Sequence, residues 1–372
     1  MGSMKAWIYD RSRDDGSGVY IFPESVPVPE VGSHDILIEV MGVSVCGTDE
    51  ALFRGQVKDV LDGIIPGHEL FGRVVEVGPL VSRVQAGHSV CAESHYLLPG
   101  HEDEGIIGLW GPLSDGKQIP PIKGGYAEYV VIPETCAQII PQRLVESDFW
   151  PSLLEGVGND YKIAKYCQDF HLLKRVCIIG SGTHGLFTQL FVKHFGADQL
   201  VVLEKDGYRR GFARGCGFAD AVLDPSDDQL MEKLADITSG EMFDCVIDIT
   251  HGTAEVLDLC FGLVRQKGYL VLFGLYDDPD ISIDGLHPND IIFHNQRLKT
   301  RQKDKQFTIQ GVTGREGVWQ ILIQEVTNNP SIQEQIMKPV SLMGPLDNLG
   351  DDTRRADREV LKRVYEPFQK EG

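Results

Sequence analysis

Hydrophobic and polar positions change rhythm twice along the chain. From Lys5 to about Gln138, short β-branched runs alternate with Gly and Pro punctuation, as in Ile36-Leu37-Ile38-Glu39-Val40, Gly72-Arg73-Val74-Val75-Glu76-Val77-Gly78 and Ala127-Glu128-Tyr129-Val130-Val131-Ile132. Short strands joined by turns predict an irregular β-rich domain. The middle reads differently. Arg175-Val176-Cys177-Ile178-Ile179 opens into a glycine turn and then the helix-like Leu186-Phe187-Thr188-Gln189-Leu190-Phe191. Gln199–Leu203, Phe243–Asp248 and Tyr269–Gly274 repeat the apolar run, with helical stretches between them. Strands buried on both faces and alternating with helices predict a parallel, doubly wound sheet, hence an α/β fold. After about Gly311 the pattern turns helical and then polar. Arg358-Glu359-Val360-Leu361-Lys362-Arg363-Val364-Tyr365 reads as a short amphipathic helix.

At 372 residues the chain is long for one core and suited to two domains. No apolar run approaches the roughly 18 residues of a membrane span, and the first residues lack a signal pattern, so a cytoplasmic protein with no membrane partner is expected. A formal charge of -20 opposes a phosphate backbone, which argues against nucleic acid. Eight cysteines are scattered without a CxxC, so a disulfide framework is not expected. One stretch runs against the acidic composition: between His294 and Gln306, Arg297, Lys299, Arg301, Lys303 and Lys305 alternate with mostly polar neighbours. An exposed hairpin with charges guarding its edge explains this. A site for an anion or a partner is the alternative.

Gly180-Ser181-Gly182-Thr183-His184-Gly185 carries the first chemical signal. Gly-x-Gly-x-x-Gly is weak alone, but here it follows an apolar strand, opens a helix, and precedes a second strand ending in Glu204. Gly180 permits the tight turn, Gly182 lets backbone approach a pyrophosphate, Gly185 lets the helix pack on the sheet, and the helix N-terminus favours the anion. Glu204 would accept from the adenosine ribose hydroxyls and repel a 2′-phosphate, which favours NAD over NADP. Lys205, Arg209 and Arg210 pull the other way.

The second signal is Val45-Cys46-Gly47-Thr48-Asp49, then Pro66-Gly67-His68-Glu69, then Leu154-Glu155-Gly156-Val157-Gly158-Asn159. A thiolate, an imidazole and a carboxylate can hold Zn²⁺ with one position open. Each alone has a plain structural explanation: a buried small cysteine, a satisfied histidine, a capping or paired glutamate.

Jointly, these motifs resemble the zinc-dependent medium-chain dehydrogenases, and Glu93-Ser94-His95, Gly274-Leu275-Tyr276 and Gly311-Val312-Thr313-Gly314-Arg315 are similar to the branch with L-threonine 3-dehydrogenase and the polyol and sugar dehydrogenases. The resemblance runs over most of the chain. It implies a GroES-like catalytic domain in residues 1–163, a Rossmann dinucleotide-binding domain in 164–312, and a return to the catalytic domain in 313–372. It implies Cys46, His68 and Glu155 as zinc ligands, with Glu69 joining the metal or waiting beside it. Thr48 matches the hydroxyl that passes the substrate proton outward, and His95 a residue near the substrate. Ser181, Thr183 and His184 fall in the cofactor loop, Glu204 and Arg209 at the adenosine ribose, and Leu275, Val312 and Thr313 along the nicotinamide. Homodimers or homotetramers are the usual assemblies.

Three departures qualify the transfer. No cysteine lies between Cys91 and Cys136, so one catalytic zinc per chain and no structural zinc are expected, with the lobe from Leu97 to Gly125 held by Ile106, Ile107, Leu109, Trp110 and its prolines. Ala51 stands where the threonine enzymes carry a histidine, which counts against L-threonine as substrate. The basic segment and the polar C-terminus, without the usual closing apolar strand, are the third. The expected reaction is hydride transfer between a secondary alcohol (polyol, sugar or amino alcohol) and the nicotinamide, the basic strip leaving open an anionic group on that substrate. A sugar 1-dehydrogenase, a zinc-free reductase and a non-catalytic NAD-binding protein are the rivals.

Overall fold

The computed structural model describes residues 2–13, 15–57, 60, 62–96, 107–108, 111–112, 124–355 and 359–369, with backbone alone at 95–96, 107–108 and 111–112. It divides into two units, Met1–Gly156 with Arg315–Gly372, and Val157–Gly314. The first segment supplies β1 (Ser3–Tyr9), β2 (Ile21–Pro27), β3 (Asp35–Ser44), α1 (Gly47–Phe53), β4 (Glu69–Val77), β5 (Ser89–Ala92), β6 (His95–Tyr96), β7 (Ile107–Gly108), β8 (Gly111–Pro112), β9 (Tyr129–Pro133), β10 (Ala137–Ile139), α2 (Gln142–Val145) and the start of α3 (Leu153–Asp169). Leu97–Ile106, Leu109–Trp110 and residues 113–123 lie outside the described residues, and so does most of the lobe expected to do without a structural zinc.

The second unit is built from β11 (Arg175–Ile179), α4 (Thr183–His194), β12 (Gln199–Leu203), α5 (Gly207–Cys216), β13 (Ala221–Leu223), α6 (Leu230–Thr238), β14 (Phe243–Asp248), α7 (Ala254–Leu263), β15 (Val264–Leu272), α8 (Pro288–Phe293), β16 (Arg297–Gln302) and β17 (Lys305–Gly311). Its sheet runs β13-β12-β11-β14-β15-β17-β16, parallel except for the last pair. The order reverses between β11 and β14, which marks the crevice where a Rossmann sheet takes its ligand. Val176, Cys177, Val201, Val202, Val246 and Leu270 are fully buried, as expected of parallel strands covered on both faces.

The basic segment is the β16–β17 hairpin. Lys303 and Asp304 occupy its turn at φ 47° and 59°, the left-handed pair that a tight two-residue hairpin requires. Three of its five cations have partners within the unit. Arg297 lies over the rings of Tyr166 and Phe170, Lys303 Nζ meets Asp258 at 2.8 Å, and Lys305 Nζ donates to the Gly262 and Val264 carbonyls at the end of α7. The hairpin is therefore an anchored, charge-guarded sheet edge.

The chain returns to the first unit through α9 (Trp319–Asn328), α10 (Pro330–Met337), β18 (Val340–Pro345), α11 (Leu349–Arg355) and β19 (Lys362–Glu366). The first unit's main sheet runs β10-β5-β4-β3-β19-β18, with β9 also on β3. Here one expectation is overturned. The helix read from Arg358 to Tyr365 is not formed: Lys362–Glu366 is a strand, antiparallel to β3 through Val364↔Ser44 and Tyr365↔Val43 and parallel to β18. Its polar text is deceptive, because Lys362 and Arg363 are themselves buried in ion pairs with Glu69 and Glu50. Tyr365 joins Ile36, Val43, Leu52, Phe53, Leu70 and Tyr126 in one core cluster, and each such side chain stabilises by roughly 1.5–3 kcal/mol when fully buried. Among the described residues no helix is long and apolar enough to cross a membrane.

Candidate metal centre and dinucleotide loop

Local chain geometry brings the metal-type donors of the first unit together. Cys46 caps α1 in an extended conformation, and its backbone N–H donates to Asp49 Oδ2 at 2.9 Å. Gly67 has φ +97°, and a Cβ there would lie 2.9 Å from the Tyr126 backbone nitrogen, so only glycine lets the chain turn His68 and Glu69 toward Cys46. Donor atoms of Cys46, His68 and Glu69 all lie within 4.8 Å of one another. Thiolate, imidazole and carboxylate are the donor classes zinc takes, so the residues suit that ion.

The cluster lies among buried charges that shift one another's titration. Burial works against a charge on His68, but the Asp49 carboxylate, 3.5 Å from Nδ1, with Cys46 and Glu155, lifts the imidazole well above its ordinary range. Asp49 thus stands beside the ring, in the place an outer carboxylate takes next to a metal-binding histidine. Burial pushes the Glu69 carboxyl up to about 7 against the opposing pull of Lys362, whose Nζ lies 2.6 and 2.7 Å from its two oxygens. For Lys362, burial favours the neutral amine, yet Glu69, Cys46 and Asp49 outweigh it and raise its pKa.

Glu155, at the start of α3, is placed differently. Its Oε1 is 2.5 Å from the Arg315 guanidinium and accepts from Ser94 Oγ, and it is not part of the 4.8 Å group. Arg315 is fully buried and also donates to Glu93 Oε1 and Ser94 Oγ, each at 2.6 Å, while Trp319 Nε1 donates to Glu93 Oε2 at 2.6 Å. The resemblance makes Glu155 the ligand and Glu69 the residue in waiting; in this arrangement Glu69 is the nearer carboxylate. Thr48 Oγ1 lies 3.9 Å from Cys46 Sγ in the first turn of α1. Ala51 follows it on the same helix. His95 opens β6, and its side chain lies outside the described residues.

The glycine loop of the second unit joins β11 to α4. Gly180 has φ +100°, Gly182 caps α4, and a Cβ on Gly185 would lie 2.2 Å from the Gly180 carbonyl oxygen. Ser181 is buried within the loop, and Thr183 and His184 form the first turn of α4. Glu204, just past β12, accepts from the Ser181 N–H at 2.6 Å and the Asp206 N–H at 2.8 Å. The Arg209 guanidinium is 3.7 Å from where a Gly182 side chain would begin, against the space a phosphate would use. Arg210 is tied to Asp224 and to the carbonyls of Glu204 and Lys205. At the other half of the sheet, Leu275 is half-buried, and the Val312 and Thr313 backbones are fixed by Leu272 and Asn295.

Residues 32–142 match the alcohol dehydrogenase GroES-like domain, and residues 185–326 match the zinc-binding dehydrogenase domain. An L-threonine 3-dehydrogenase of Pyrococcus abyssi (strain GE5 / Orsay) is 30% identical over 296 residues, 78% of each chain. This chain belongs to the zinc-dependent medium-chain dehydrogenases. An L-threonine 3-dehydrogenase of Bacillus licheniformis is 29% identical over 327 residues, 84% of each chain. Among solved structures, 2R,3R-butanediol dehydrogenase from Bacillus subtilis has a TM-score of 0.75 at 22% identity, covering 98% of this chain and 100% of that one. Alcohol dehydrogenase TADH from Thermus sp. ATN1 has 0.77 at 20% identity, with coverage of 98% and 100%. Those two share the fold, a GroES-like unit and a Rossmann unit.

As a medium-chain dehydrogenase, the protein is a zinc-dependent oxidoreductase of alcohols that uses a nicotinamide cofactor. Sequence reading left out several of the groups now visible around its centres. Asp49 stood inside a quoted motif without a role, although its spacing from Cys46 suits a cap. Lys362 carried no signal at all, since nothing local distinguishes it from a surface lysine. Asp160 was hidden in the same way, one polar residue among several in α3.

Proposed function

We propose that this dehydrogenase oxidises a secondary alcohol on a hydroxyl-rich molecule, a polyol, sugar or amino alcohol, with NAD preferred over NADP and one zinc per chain. The observation that carries this reading is the thiolate–imidazole–carboxylate group of Cys46, His68 and Glu69, with a fourth donor, Glu155, held in reserve by Arg315. When bound, the zinc supplies Lewis acidity to an alcohol oxygen and the nicotinamide accepts the hydride. The chain's own residues do the rest. Asp49 stands beside His68, Lys362 offsets the charge of Glu69, and the Thr48 hydroxyl offers a first station for the departing proton. Surroundings so rich in carboxylates suit a polar substrate better than an apolar one.

Glu204 supports the preference for NAD. Each of its oxygens accepts one backbone N–H and retains capacity for a ribose hydroxyl, while its charge opposes a 2′-phosphate. The test is a screen of alcohols, polyols and their phosphates with NAD⁺ and NADP⁺, followed by reduced-nicotinamide absorbance, alongside metal analysis. Turnover of a polyol, sugar or amino alcohol with zinc near one per chain supports the reading. Zinc near two per chain, or no turnover across the panel, overturns it.

A further inference from the structure

The second unit contains a side-chain set that the cofactor loop does not need for its backbone geometry. Asp160, fully buried on α3, accepts from Thr188 Oγ1 at 2.8 Å through one oxygen and meets His184 Nδ1 at 3.0 Å through the other. Thr188 is fully buried too, one turn along α4 from His184. A carboxylate only accepts, so this pairing places a proton on Nδ1, and in the neutral ring Nε2 is then the acceptor nitrogen. The same logic fixes the histidine of a carboxylate–imidazole couple in hydrolytic enzymes. Burying a carboxylate is costly, and a ring that served only packing would not require one.

The position of the ring indicates what it serves. His184 is 24% exposed and lies in the first turn of α4, directly after the glycine loop. Its ring packs edge-on against Phe273, centroids 5.1 Å apart, at the carboxyl end of β15. Ligands of a doubly wound sheet lie outside the carboxyl ends of the strands, one nucleotide over each half. Glu204, at the end of β12, marks the adenosine half. The β14–β15 side is therefore the nicotinamide half, and His184 leans toward it, away from Glu204.

We propose that His184, oriented by Asp160 and Thr188, accepts a hydrogen bond through Nε2 from a hydroxyl of the nicotinamide-side ribose, with Asp160 as its positioning residue. This rests on the dinucleotide reading above. The pair sets how tightly the nicotinamide half is held without touching the adenosine half.

Isothermal titration of the zinc-loaded full chain with NADH and with AMP tests it. AMP carries only the adenosine half and serves as the internal control. In His184→Val, NADH binding weakens about tenfold, the worth of one hydrogen bond, while AMP binding is unchanged. Asp160→Ala gives the same selective loss, and Asp160→Asn, whose amide oxygen still accepts from Nδ1, restores most of it. Equal losses for NADH and AMP, or undiminished NADH binding in His184→Val, overturn the proposal. If Asp160→Ala fails to fold, the partly exposed His184→Val and His184→Gln carry the same comparison. Wild-type protein that binds neither ligand overturns the dinucleotide reading itself, and the proposal with it.

Discussion

Replacing Arg315 by methionine removes the positive charge that lies between the buried carboxylates Glu93 and Glu155 while keeping much of the side chain's length. The guanidinium is fully buried, 2.6 Å from Glu93, 2.5 Å from Glu155 and 2.6 Å from Ser94 Oγ, and the two carboxylates lift its pKa despite burial. Breaking a buried pair from one side costs about 3–5 kcal/mol, because the partner keeps its desolvation penalty and loses its compensation. Glu93 retains the Trp319 indole N–H and Glu155 retains the Ser94 hydroxyl, so the lower half of that range is expected. At roughly 2–4 °C per kcal/mol for a unit of this size, the melting transition of the first unit falls by on the order of 10 °C. Calorimetry of the metal-free protein measures this. The decisive comparison is a Glu93→Gln/Glu155→Gln background, where no buried charge needs Arg315 and the same substitution costs under about 1 kcal/mol. An equal cost in both backgrounds refutes the charge argument and assigns Arg315 to packing.

Three further outcomes follow from the same geometry. His68 lies well above its ordinary range and Glu69 at about 7, so both hold protons at and below neutral pH that zinc must displace; chelator competition shows affinity falling as pH drops from 8 to 6, and a flat profile contradicts it. Lys362→Met removes the charge that holds the Glu69 carboxyl down, so in the variant it rises beyond about 7 and must take up a proton or stand unpaired; the penalty in urea unfolding of the apoprotein, up to about 3 kcal/mol, is larger at pH 8.5, where the wild-type pair is ionised, than at pH 6, where Glu69 is already largely protonated. Glu204→Gln keeps an acceptor for only one of the Ser181 and Asp206 N–H groups, which weakens the loop for both cofactors alike, but it removes the charge, so the ratio of kcat/KM for NADP⁺ over NAD⁺ rises about tenfold; an unchanged ratio assigns cofactor choice elsewhere.

What could be read from the text alone followed the range of the interaction. The β11–loop–α4 passage was legible because strand, turn and helix each leave a local signature, with Gly180 needed for its positive φ and Gly185 for the close approach of the Gly180 carbonyl. A hairpin within His294–Gln306 was legible from its alternating charges, but the turn at Lys303–Asp304 was not located. Lys362-Arg363-Val364-Tyr365 was misread as helical because its two cations look solvated, and their partners, Glu69 and Glu50, stand roughly 300 residues earlier. Nor can spacing say whether Glu69 or Glu155 is nearer to Cys46 and His68. That depends on Arg315, which arrives from the far side of the second unit's sequence.

The placement of β19 has a consequence for synthesis. β3 gains β19 as a neighbour only after the roughly 160 residues of Val157–Gly314 have been made. At about 5–20 residues per second, that interval is on the order of ten seconds or more. Throughout it, the nascent first unit has an unpaired strand edge at Val43 and Ser44, and Glu69 lacks its lysine. An emerging chain in that state is open to wrong strand pairing and to chaperone capture, and metal uptake is best timed to follow release from the ribosome.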